Sequence, residues 1–154
     1  MDSQLTSLLE LTGLRLPAEP PGEPLASLLI ETAFLMAVAD DRLNPTELEL
    51  LSEVMAFVRG RALDQGEFET ALERLNEARS RDGVDGRLRF IGTTVASTAE
   101  RDRLLRFGAV VALCDRRVVP REHGTLFKLG KVLGHRPEQI LPVVDEVRRS
   151  LGPA

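Results

Sequence analysis

The sequence predicts an all-α fold, and three observations carry that prediction. Apolar residues recur at helical spacing along most of the chain. The composition leans on Leu, Ala and Val, lacks Trp and Tyr, and has six Phe as its only aromatic side chains, a balance that favours helix formers over strand formers. Helix-start signals, an Asn, Asp or Ser followed three residues later by Glu, stand ahead of several apolar stripes. The chain has 154 residues, the size of one ordinary domain, which buries roughly 68–70% of the surface its unfolded form exposes. A single-domain bundle of about seven or eight helices is expected.

Residues 1–24 are expected to form an N-terminal arm ahead of an all-α domain spanning 25–154. Ser3 is a candidate N-cap for a short amphipathic helix bearing Leu5, Leu8, Leu9 and Leu11 and ending near Gly13. The stretch PAEPPGEP at 17–24 lacks backbone donors at its prolines and is expected to be an extended linker. From Leu25 to Ala39 nearly every residue is apolar or small, the mark of a helix at the centre of a bundle. It stops at Asp40 and Asp41. The next helix has Asn44 as N-cap, Pro45 at N1 and Glu47 at N3, an inward stripe of Leu48, Leu51, Val54, Met55 and Val58, and Gly60 at its end.

A further helix is predicted from Asp64 to about Ser80, with Asp64 and Glu67 as its capping box and Phe68, Leu72 and Leu75 facing inward. RDGVDG at 81–86 predicts a turn, and Leu88 to Ala96 a shorter helix. Ser97 and Glu100 have capping-box spacing for a helix from Ala99 to Cys114 that becomes almost wholly apolar before stopping at Asp115. A terminal helix is predicted from Pro137, with Pro142 expected to kink it or delay its start.

Residues 33–59 align without a gap with 108–134. Ala37, Asp40, Arg42, Pro45, Glu47 and Leu51 are repeated as Ala112, Asp115, Arg117, Pro120, Glu122 and Leu126, at a constant offset of 75. The unit expected twice is a buried helix, an aspartate, a short loop, Pro at N1, Glu at N3 and an amphipathic helix. Its two loops, DDRLNPTE (40–47) and DRRVVPRE (115–122), resemble the helix–acidic loop–helix motif of the TerB-like tellurite-resistance family, and the likeness extends over roughly 25–140. That resemblance implies an all-α bundle, a link to tellurite and other chemical stress, a divalent-cation site formed by acidic residues, and use as an accessory module. The family's glycine after the first aspartate is Asp41 in one loop and Arg116 in the other, so the loop path is expected to differ.

The carboxylates have more than one explanation. Glu47 and Glu122, at N3, satisfy helix-start amides and suit the positive end of the macrodipole. Asp40 and Asp115 end buried helices, where a negative charge costs ~0.3–1 kcal/mol. Capping the following helix, pairing with Arg42 or Arg117, or ligating a cation would each offset that cost. Asp40, Asp41, Asn44 and Glu47 present oxygen ligands only, which suits Ca2+ or Mg2+. Asp115 and Glu122 are the secondary metal candidates, because Arg116, Arg117 and Arg121 repel a cation.

The net charge of −4 counts against a dedicated nucleic-acid binder. Charge is segregated, however: Asp40 to Glu53 holds five acids against Arg42 alone, whereas Arg101 to Arg136 holds nine bases against three acids. Arg116, Arg117, Arg121, Lys128 and Lys131 are therefore candidates for docking an acidic protein partner or a second copy of the chain. A helix-turn-helix use of Arg121, Lys128 and Lys131 on DNA is a further reading. No catalytic constellation, P-loop or dinucleotide fingerprint occurs, so no enzyme is expected. His123 and His135 have no nearby thiol with which to hold zinc. The lone Cys114, the absence of a leader pattern and the absence of a long apolar run lead to an expectation of a cytoplasmic protein. The function expected is a TerB-like stress-response or interaction module that binds a divalent cation at the first acidic loop, or a metal-free adaptor.

Overall fold

The computed structural model describes residues 25–38, 45–95, 97–113 and 120–151, with the side chains of 46, 120–123, 150 and 151 outside that description. The N-terminal arm and residues 39–44 and 114–119, which hold most of the two acidic loops, lie outside the described residues. Within them the chain is all-helical, with six helices: α1 (Leu25–Ala37), α2 (Pro45–Arg59), α3 (Gln65–Thr94), α4 (Thr98–Leu113), α5 (Pro120–Val132) and α6 (Pro137–Leu151). None of them is long and apolar enough to cross a membrane.

α1 is the centre of the bundle. Every residue of it except Ser27 is buried, and it packs against α2, α3, α4 and α5. A helix without a polar face has nowhere to go but inside. Its most extensive partner is α4, whose residues Leu104, Leu105 and Phe107 to Leu113 are also buried. Phe34 and Phe107 are the largest side chains fully enclosed there.

The helix-start signals act where they are placed. Asp64 accepts the Glu67 N–H at 2.8 Å while the Glu67 carboxylate accepts the Asp64 N–H at 3.0 Å, a complete capping box. Ser97 Oγ accepts the Glu100 N–H at 3.2 Å and opens α4 at Thr98. α2 begins at Pro45 and closes at Gly60, beyond which the Arg61 N–H reaches back to the Ala56 carbonyl at 3.1 Å.

Two expectations require correction. RDGVDG does interrupt the helix, but more narrowly than a six-residue turn: α3, from Gln65 to Thr94, is two helical stretches meeting at a kink at Gly83, with φ 74° and ψ 164°. That conformation is open essentially to glycine alone, and the residues on either side are helical. The helix count is accordingly six among the described residues, below the seven or eight expected. Pro142 does not delay α6, which starts at Pro137. Pro142 lies on the exposed face, where water can satisfy the carbonyl that its missing N–H abandons. The buried stripe Ile140, Val143, Val144 and Val147 on the other face holds the helix to the core.

α3 divides into unequal halves. Beyond Gly83, Leu88, Ile91 and Gly92 are buried, and the backbone of Gly92 lies so close to α5 that an added Cβ would collide with the Val132 carbonyl. Before Gly83, the inward stripe of Phe68, Ala71, Leu72 and Leu75 is only half-buried against the core. This half lies along the rim of the bundle.

Candidate functional site

α1 and α2 pack together, and residues 38–44 follow one and precede the other in sequence. Asp40, Asp41 and Asn44 lie outside the described residues; Glu47 stands in the first turn of α2, half-buried. In the second unit α4 and α5 also pack together, but Asp115, Arg116 and Arg117, and the side chains of Arg121 and Glu122, lie outside the described residues. Among the described residues no three or more His, Cys, Asp or Glu side chains are grouped to hold a metal ion. Cys114 and the side chain of His123 are likewise outside them. His135 buries Nδ1 without a hydrogen-bond partner among the described residues.

Among the described residues of the basic stretch, several bases are engaged within the fold. Arg101 donates to the Leu133 carbonyl at 3.1 Å and the Gly92 carbonyl at 3.2 Å, so one guanidinium ties together the C-terminal ends of α5 and α3. Both carbonyls sit where helix dipoles accumulate negative charge. Arg106 bridges Asp102 at 3.0 Å and Glu146 at 2.8 Å, joining α4 to α6. Lys128 pairs with Asp85 of α3 at 3.1 Å, and Arg136 lies 3.7 Å from Glu138. Lys131 is exposed. Among the described bases of this stretch, Arg106, Lys128 and Arg136 each have an acidic partner.

Sequence reasoning missed an ion pair between α1 and α3. The Glu31 carboxylate accepts Nε and Nη2 of Arg87 at 2.6 and 3.0 Å, a two-point contact with side-chain exposures of only 8% and 12%. Arg87 also donates to Asp82 at 2.8 Å, and its guanidinium lies 4.3 Å from the centre of the Phe90 ring. The hydrogen bond to Glu31 holds the Arg87 pKa above its ordinary value against the opposing effect of burial. Hydrogen bonds from Arg81 and Arg87 hold the Asp82 carboxyl below its ordinary value. A lone acid inside an apolar run was the available signal; its partner, 56 residues further on, was not readable from spacing.

The half-buried stripe of α3 borders a cleft that sequence reasoning also missed. A small recess of about 190 Å3 lies between α1, α2 and α3, with Ile30, Met55, Leu63 and Leu75 among its walls. It adjoins a more open cleft of about 530 Å3 bordered by Arg61, Gly66, Glu67 and Thr70. Arg59, Leu63, Ala71 and Arg74 line both. Arg61 donates to both oxygens of Glu67, at 3.0 and 2.7 Å. That contact and the Asp64 N–H lower the Glu67 pKa to about 2.

Compared with family models, curated proteins and solved structures, the chain matches none.

Proposed function

We propose that this chain is a TerB-like binding module rather than an enzyme, and that its first interhelical loop holds one divalent cation, Ca2+ or Mg2+. Asp40 and Glu47 are the principal ligands in this reading, with Asp41 or Asn44 completing the oxygen set. The observation that carries it is the start of α2 at Pro45: Glu47 falls in the first turn, directly after the connection that contains both aspartates. α1 and α2 are packed against each other, and Glu47 is in the first turn of the second of them. The two-unit organisation has similar support. α2 begins at Pro45 and α5 at Pro120, the same offset of 75 that relates the sequence identities, and each pairs with the buried helix before it.

The second unit differs in charge, and the cation reading does not extend to Asp115 and Glu122, whose loop contains three arginines. Arg116, Arg117, Arg121, Lys128 and Lys131 belong instead to the adaptor reading, in which this end of the molecule meets an acidic protein or a second copy. The test is thermal unfolding in EDTA and in Ca2+, Mg2+, Mn2+ or Zn2+. A ligand that binds only the folded state adds about 2.7 kcal/mol at a hundredfold excess over Kd, so Ca2+ or Mg2+ raises Tm. The Asp40→Asn/Glu47→Gln variant loses that rise. Identical melting in every condition refutes the cation site and leaves the adaptor.

A further inference from the structure

We infer that the cleft between α1, α2 and the first half of α3 binds a small single-chain carboxylate, with its apolar tail in the recess and its head between Arg59 and Arg74. This inference is independent of the cation reading, which concerns a different part of the first unit.

Three observations carry it. The recess is walled by Ile30, Met55, Leu63 and Leu75, and these give it an apolar lining for a hydrocarbon tail. The four residues common to recess and cleft are two apolar side chains and two arginines, so cationic groups stand where a tail would end and a head begin. The charge there is also opposite to that of the chain as a whole. Arg59, Arg61 and Arg74 line the cavity, in a protein of net charge −4; Glu67, which Arg61 engages, is the one carboxylate among the described lining residues, and Arg59 has an interaction of its own, so Arg74 is the guanidinium left to meet a ligand.

Arg74 makes no ion pair or hydrogen bond with another described residue and is exposed. A guanidinium offers a planar fork matched to a carboxylate. The cleft, at about 530 Å3, is within the usual size of small-molecule sites, roughly 300–1,000 Å3.

The experiment is calorimetric titration of the whole chain, in EDTA, with decanoate below its micelle concentration, alongside butyrate and decanol. Decanoate binds one to one. Butyrate, which lacks the tail, and decanol, which lacks the charge, each bind at least about tenfold more weakly. Arg74→Gln weakens decanoate about tenfold without changing Tm, since the side chain is exposed and holds no described partner. Ala71→Phe, which fills the junction, abolishes binding; if that variant fails to fold, Arg74→Gln decides alone. Decanol binding as tightly as decanoate, or decanoate binding undiminished in Arg74→Gln, overturns the inference. So does tighter binding of an acidic helical peptide than of decanoate, or self-association that Arg74→Gln abolishes. Because the titration is run without divalent cations, its failure is distinct from failure of the loop site.

Discussion

Replacing Arg87 with Met is expected to cost far more stability than an ordinary surface substitution, which usually stays within about 0.5 kcal/mol. The substitution preserves most of the apolar stem but leaves the Glu31 carboxylate, in a residue only 6% exposed, without its two-point partner. Removing one member of a buried pair costs about 3–5 kcal/mol, because the remaining charge is stranded in low dielectric. Glu31→Leu is expected to be milder, about 1.5–3 kcal/mol. Its orphan, Arg87, keeps Asp82 at 2.8 Å and the face of Phe90. The double variant Glu31→Leu/Arg87→Met strands no charge and is expected to be no less stable than Arg87→Met alone, giving a coupling of about 2 kcal/mol between the sites. Urea unfolding at neutral pH measures this from the midpoint at constant slope, without the screening that an ionic denaturant introduces. Against a total stability of roughly 5–15 kcal/mol, the Arg87→Met shift is large. A loss below about 1 kcal/mol for Arg87→Met, or costs that simply add in the double variant, would refute the claim that this pair joins α1 to α3 as a unit.

Gly92→Ala is expected to destabilise by about 1–3 kcal/mol, because the new methyl meets the Val132 carbonyl rather than a flexible side chain. Gly124→Ala, in α5 with nothing near its would-be Cβ, is expected to stabilise by about 0.5–1 kcal/mol; equal Tm changes of the same sign would contradict both. Arg101→Met is expected to cost about 1–3 kcal/mol by leaving the Gly92 and Leu133 carbonyls without their shared donor, and hydrogen exchange should quicken at the ends of α3 and α5 together. Since the Glu67 pKa is lowered from 4.5 to about 2, its contribution to stability is complete above pH 4.5 and is lost as pH falls towards 2. Arg61→Gln is expected to reduce the fall in Tm across that window, and an unchanged acid profile would count against the Arg61–Glu67 pair.

How much of this was legible in the sequence depends on the range of the interaction. Helix starts were readable because they are local: Asp64 with Glu67, Ser97 with Glu100, and Pro45 at N1 each involve residues three apart or fewer. The central position of α1 was readable because a helix with no polar face has one possible environment. The break in α3 was readable from the two glycines and two aspartates of RDGVDG; its confinement to Gly83 was not. The Glu31–Arg87 pair, the Arg101 clamp and the cleft all depend on which helices cross. The half-buried stripe of Phe68, Leu72 and Leu75 has the same spacing as the buried stripe of α2, so periodicity could not show that one face would be left partly open. Of the acidic-loop ligands, only the placement of Glu47 at the start of α2 has a described counterpart.

The most direct measurement is calorimetric titration of the full chain with Ca2+ and with Mg2+, beside the Asp40→Asn/Glu47→Gln variant. One equivalent of at least one of these ions taken up by the wild type, and none by the variant, is the expected result. No uptake by the wild type, or equal uptake by both proteins, would contradict a cation held between α1 and α2.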